Sequence, residues 1–182
     1  MKSNLISANY DENCPVFFYD TLNPRTSFSD TEIFGERKLF EINRGLMSFF
    51  GFPTYGVHCN GWVIEEKKIY LFLAKRSQEL NTFPGLYDNL IGGGQPSDIS
   101  LQDNLLKEGF EEVGLSKNVL FNAHFNSFTK YSHTYNGELN SSVIATYDLE
   151  LSEDSIFKSK DGEVEKVEKF EISEVFFLIK KN

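Results

Sequence analysis

GGQPSDISLQDNLLKEGFEEVGL, residues 93–115, is the stretch on which the reading of this chain turns. Three acids, Glu108, Glu111 and Glu112, stand at helical offsets 0, +3 and +4. Three successive glycines, Gly92 to Gly94, precede them, and Gly114 supplies a stop. At 100° per residue, Glu112 lies about 40° to one side of Glu108 and Glu111 about 60° to the other. Leu106, Phe110 and Val113 fall on the opposite face, between about 140° and 200°. The spacing predicts a helix over residues 101–113 that packs Leu106, Phe110 and Val113 on a core and presents its acids on the other side. Ser100 is the expected N-cap, with Asp103 as a capping-box partner.

Like charges at such offsets destabilise an isolated helix by roughly 0.2–0.5 kcal/mol each. A bound cation reverses that sign. A solvated charged face is the common fate of a glutamate stripe. The glycine run before the helix and the Val-Gly-Leu ending set this one apart. Carboxylates on one face, beside a turn that exposes backbone carbonyls, suit a hard divalent cation. A divalent cation is what a protein needs to handle a diphosphate.

The rest of the chain bounds this reading. Its 182 residues suffice for one ordinary domain with a real core. Apolar residues are 40% and aromatics 15%, which places it among globular rather than disordered chains. The net charge of −9 has no basic patch against it beyond Lys180-Lys181, which argues against nucleic acid as a partner. No apolar run reaches the length of a membrane span, and the N-terminus has no apolar signal-peptide core. Two cysteines, Cys14 and Cys59, form neither a metal-ligand spacing nor a disulfide framework. The expectation is a reducing, cytoplasmic setting.

Residues 1–35 read as an irregular lead-in with one apolar run at residues 16–19. Residues 36–50 suggest a short helix ended by Gly51 and Pro53. A strand is expected through Val57, Cys59 and residues 62–64, and a second at residues 69–74, joined as a hairpin by Glu65-Glu66-Lys67-Lys68. Pro84-Gly85 marks a turn. Residues 119–128, 141–149 and 164–170 read as strands. The class is α/β or α+β, divided into residues 1–50 and 51–182.

Residues 93–115 resemble the Nudix box, G-x5-E-x7-R-E-U-x-E-E-x-G-U, with U a bulky apolar residue. Gly93, Glu108, Glu111, Glu112, Gly114 and Leu115 match it. Ile99 replaces the first Glu, Lys107 the Arg, and Gly109 the apolar position. The supporting Glu–Arg pair of the family is therefore lost as a unit. Lys107 still offers a point charge, without the bidentate fork of Arg. YGVHCNGWV at 55–63, LAKRS at 73–77, FPGLYDNLIGGGQP at 83–96 and DGEVEKVEKFEISEV at 161–175 resemble the thiamin pyrophosphokinase-related branch of that superfamily.

The resemblance implies a Nudix fold, a mixed sheet between helices with a short N-terminal extension. It implies a Mg2+- or Mn2+-dependent diphosphatase acting on a small molecule, thiamin diphosphate or its oxo- and oxy-forms. Glu108, Glu111, Glu112 and the Gly93 carbonyl are the implied metal ligands, with Glu108 and Lys107 as catalytic residues. Glu163 and Glu165 are candidates for a further acid, and Arg76 for a phosphate contact. Tyr55, Trp62 and Tyr87 could stack a ring, though core packing is their default. Asp88 and Asn89 read as turn chemistry, and His58 as a packed histidine.

Two readings compete within the enzymes: a nucleotide or ADP-ribose-type diphosphatase, and an isopentenyl diphosphate isomerase. The isomerase resembles a chemistry that needs a cysteine shortly after the Asp-Asn pair, where Leu90 and Ile91 stand here. A non-catalytic metabolite sensor is the reading from another class.

Overall fold

The structure is a computed structural model that describes residues 12–17, 38–135 and 138–181. The lead-in expected over residues 1–35 lies outside them, apart from residues 12–17. The chain forms two compact units: Met1–Gly56 with Gly94–Leu101 and Thr129–Ile144, and Val57–Gly93 with Gln102–Phe128 and Ala145–Asn182.

In the first unit, β1 (Asn13–Phe17) pairs antiparallel with β2 (Lys38–Asn43), Cys14 facing Ile42 and Val16 facing Phe40. Residues 38–43 were expected to start a helix. Their apolar positions also fit a period of two, and the edge offered by β1 selects the strand. Only a 3-10 turn at Arg44–Leu46 and one helical turn, α1 (Met47–Phe50), remain of that helix. Asn43 caps the turn by accepting a hydrogen bond from the Gly45 amide. Cys14, Val16 and Met47 form a small core with Ile42 and Phe52.

The second unit holds most of a seven-stranded sheet ordered β5-β4-β3-β8-β7, with β6 added to β3 and β9 to β4. β3 (Thr54–Glu65) and β4 (Lys68–Arg76) form the expected hairpin. Its turn residues, Glu66 and Lys67, both have positive φ (48° and 66°), which matches the twist of the paired strands. Along β3, Val57, Cys59 and Val63 are buried, while His58, Asn60 and Trp62 lie half-buried on the other face. β5 (Tyr87–Asp88) and β6 (Ile91–Gly94) bracket Asn89-Leu90.

The central helix α2 (Leu101–Glu112) stands where the sequence put it. Leu105, Leu106 and Val113 are buried on its core side. Phe110, expected with them, is exposed instead, at the margin of that face, where the Lys160 ammonium sits 3.0 Å from its ring centroid. The strand expected from residue 119 begins later: α3 (Lys117–Leu120) comes first, then β7 (His124–Tyr135). β8 (Glu138–Glu150) and β9 (Val164–Glu171) complete the sheet. β9 ends at Glu171, one residue past the strand expected over residues 164–170, and α4 (Ile172–Lys181) follows. A capping box turns the chain, with the Glu174 carboxylate accepting from the Glu171 amide at 2.9 Å.

Among the described residues no helix is long and apolar enough to cross a membrane.

Candidate active site

The C-terminal half of α2 carries Lys107, Glu108, Glu111 and Glu112, and the glycines of β6 lie across from it. The Gly92 amide donates to Glu112 Oε2 at 2.9 Å. Gly93 passes so close that a Cβ there would stand 2.8 Å from Glu108 Oε1. Gly109 is the small residue that lets α2 settle. A Cβ at that position would come within 2.9 Å of Ile91 Cδ1 and crowd the Leu120 methyls.

Gly114, at φ 74°, ends the helix, and its amide returns to the Phe110 carbonyl at 3.2 Å. The terminal carbonyls of Glu111 and Val113 accept from the amides of Lys160 and Lys158, at 2.8 and 2.9 Å. These bonds satisfy a helix end that would otherwise lack partners. They also fasten the β8–β9 connection to the acidic end of α2. An Asp161-Gly162 turn follows, with the Asp161 carboxylate accepting from the Glu163 amide at 2.9 Å. Glu163 thereby reaches the site.

A small cavity is lined by Ala74, Arg76, Asp88, Asn89, Gly92, Glu112, Glu163 and Val164. Glu112 is its most constrained acid, only 6% exposed. Burial pushes its carboxyl up to about 8. The Gly92 amide opposes that shift, while the charges of Glu108, Glu163 and Asp161 add to it. Glu108 is also raised, first by burial, against the hydrogen bond from Lys107.

Lys107 Nζ lies 3.0 Å from Glu108 Oε1 and 3.3 Å from Glu111 Oε2. Burial opposes its charge, but the two carboxylates raise its affinity for the proton overall. Lys107 therefore pairs with the acids of its own helix.

The three acids share one side of the helix without converging on a point. Glu112 turns toward Gly92, and Glu108 and Glu111 toward Lys107. Among the described residues no three His, Cys, Asp or Glu side chains are gathered at metal-ligating spacing. What fits a cation is the chemistry of the donors: carboxylate and carbonyl oxygens around a buried, under-bonded carboxylate in a negative field.

The other sequence candidates divide. Glu163 lines the cavity. Glu165 does not; a register shift in β4–β9 pairing at Lys75/Arg76 leaves it paired with Lys75 at 3.1 Å. Arg76 reaches the cavity wall but is already engaged. Its Nε and Nη2 donate to the Thr82 carbonyl at 3.3 and 3.0 Å, and Asp88 lies 3.6 Å away. Asp161 was missed by sequence reasoning. Its signal was the Asp-Gly pair two residues before Glu163, which marks a turn.

The family model described as NUDIX domain matches residues 55–182. Nudix hydrolase 20, chloroplastic, of Arabidopsis thaliana is 37% identical over 78% of this chain and 38% of its own length. Nudix hydrolase 24, chloroplastic, of the same plant is 33% identical over 81% of this chain and 40% of its own. The chain thus spans about two fifths of the length of these curated relatives. Among solved structures, DR0079 of Deinococcus radiodurans superposes with a TM-score of 0.61 at 14% identity, covering 94% of this chain and 90% of that one. The NUDIX domain of Shewanella oneidensis NrtR, complexed with ADP ribose, gives 0.55 at 16% identity, covering 69% of this chain and 77% of that one. At such identities the likeness is one of fold.

Proposed function

Because this chain belongs to the Nudix family, we propose that it is a metal-dependent diphosphatase acting on a small-molecule diphosphate. The observation that carries the reading is Glu112. It is a carboxylate 6% exposed, bonded to one amide and surrounded by like charge at the wall of a cavity. A buried, strongly perturbed acid in a cleft marks a functional-site candidate, and hard oxygens in a negative field suit a divalent cation.

Glu108, Glu111 and Glu112, with the Gly93 carbonyl, would hold the ion, and their hard oxygens suit Mg2+ or Mn2+. When bound, the metal offsets the charge of the diphosphate and lowers the pKa of attached water. The chain's own residues supply the rest. Lys107 holds Glu108 and Glu111 until a stronger cation competes for them. Arg76, fixed by Thr82 and Asp88, turns positive charge toward the anionic substrate. Glu163 faces the same cavity and is the candidate proton acceptor for the attacking water. Glu165 is left with Lys75.

For the substrate we favour thiamin diphosphate or its oxidised forms, cleaved to the monophosphate and phosphate. The strings at residues 55–63 and 83–96 support that choice. Incubating the purified chain with thiamin diphosphate, oxothiamin diphosphate and ADP-ribose, each with Mg2+ and with EDTA, tests it. Phosphate release from the thiamin compounds alone supports the reading. Cleavage of ADP-ribose instead moves the substrate to the nucleotide-sugar class. No cleavage of any of the three with Mg2+ leaves a metabolite-binding module.

A further inference from the structure

A line of polar side chains runs through the sheet behind the cavity and ends on a histidine. Asp148 on β8 accepts two hydrogen bonds, from Asn60 Nδ2 at 2.9 Å and from Asn126 Nδ2 at 2.8 Å. Asn60, on β3, turns its Oδ1 the other way and accepts from Asn89 Nδ2. Asn89 Oδ1 then meets His58 Nδ1 at 2.8 Å. Asn89 is also a wall of the cavity, beside Gly92.

The direction of this chain is forced. The Asp148 carboxylate only accepts, so Asn60 must present its amide nitrogen to it. Asn60 therefore offers an oxygen to Asn89, which must donate. Asn89 in turn is left with an oxygen for His58, and only a protonated Nδ1 satisfies it. Reversing any amide would set two acceptors or two donors face to face. The opposite ring nitrogen, Nε2, lies nearest to Gly92, 3.5 Å from where a Cβ would stand there. Gly92 is the residue whose amide holds Glu112.

We propose that Asp148, acting through Asn60 and Asn89, holds His58 in the Nδ1–H tautomer and so fixes the Asn89–Gly92 wall from which Glu112 is held. His58, Asn60 and Asp148 are positioning residues. None of the three lines the cavity. The bare Nε2 lies against Gly92 by contact alone, since the Gly92 amide is already given to Glu112. The tautomer assignment stands on its own; only its effect on turnover rests on the diphosphatase reading.

The experiment uses the full chain with 15N-labelled histidine and long-range 1H–15N correlation near neutral pH. His58 is assigned by the signal lost in His58→Gln, and His124 and His133 serve as internal references. Wild type is expected to show a protonated Nδ1 and a bare Nε2 at His58. Asn60→Leu cuts the line, so His58 should shift to the Nε2–H form or to a mixture. Ser127→Ala, on a neighbouring pair between β7 and β8, should leave the signature unchanged. On an active preparation, Asn60→Leu should lower kcat about tenfold, the usual scale for such supporting partners, with KM changed less than twofold. A wild-type His58 protonated at Nε2 overturns the proposal before any variant is made. So does an Asn60→Leu protein that keeps the wild-type signature. A wild type with the expected tautomer but no turnover would leave the proposal standing and remove the diphosphatase reading instead.

Discussion

Glu112 and Gly92 meet through one hydrogen bond, amide to carboxylate at 2.9 Å, and it is the sole bond that the Glu112 side chain makes among the described residues. One amide does not offset burial and three neighbouring acids, so the carboxyl titrates near 8 rather than 4.5. The sign of the consequence is fixed by linkage. Between those two values the folded chain keeps a proton that the unfolded chain has released. Metal-free stability should therefore fall as pH rises from about 4.5 to about 8. A metal that needs the ionised carboxylate works the other way, and its stabilisation should grow with pH across the same window. Melting curves in EDTA and in excess Mg2+, read as the difference between wild type and Glu112→Gln, check both slopes. A wild-type curve parallel to that of Glu112→Gln in EDTA would remove the buried charge from the account.

Glu112→Gln separates stability from function. The glutamine oxygen can still accept from Gly92, while the buried charge is gone. Above pH 7 and without metal, the variant should melt higher than wild type. With metal, its turnover should drop roughly a hundredfold or more, the rate equivalent of several kcal/mol. Paired melting and phosphate-release assays read the two effects together. Full activity would place the metal elsewhere.

Gly93→Ala probes crowding rather than backbone strain, since Gly93 is not among the glycines with positive φ. The new methyl would push the Glu108 carboxylate, whose Oε1 stands 2.8 Å from its position. The methyl would meet Glu108 Cγ and Cδ before Oε1, so the whole side chain has to swing aside and the expected stability loss is about 1–3 kcal/mol. The expected loss is in Mn2+ affinity, by about tenfold, measured by the bound-ion signal in electron paramagnetic resonance. Unchanged affinity would separate Glu108 from the metal.

Periodicity made α2 and the β3–β4 hairpin legible, because each has one repeat and its own stop signals. Residues 38–43 were not, since Leu39, Phe40 and Ile42 fit helix and strand alike, and β1 decided between them from more than twenty residues away. Phe110 stands at the margin of its face, and its cation, Lys160, is fifty positions on and reaches it only when the β8–β9 connection docks on α2. Local spacing set out the candidate acids. Their partners, Lys107 aside, come from Gly92, Asp161 and Glu163, and only the fold brings those in. The lost Glu–Arg pair was visible as Ile99 and Lys107, but the turn of Lys107 toward Glu108 and Glu111 was not.

Gly109 sets two magnitudes against each other. In an exposed helix, Gly→Ala gains roughly 1 kcal/mol of helix propensity. Here the position is buried, and the added methyl would come within 2.9 Å of Ile91 Cδ1 while crowding Leu120. Overpacking a core typically costs 1–3 kcal/mol. Ile91 and Leu120 are fully buried or nearly so, at 0% and 2% exposure, with little room to move away. Crowding should win, and Gly109→Ala should be less stable by about 1–2 kcal/mol. For a chain of this length that lowers Tm by roughly 2–4 °C per kcal/mol. The double variant with Leu120→Ala should recover part of the methyl clash, because the space it opens is where the new Cβ would sit. Coupling between the two substitutions in a thermodynamic cycle is the measurement. Additive losses would mean that α2 is held off Leu120 by other contacts and that the glycine is there for another reason.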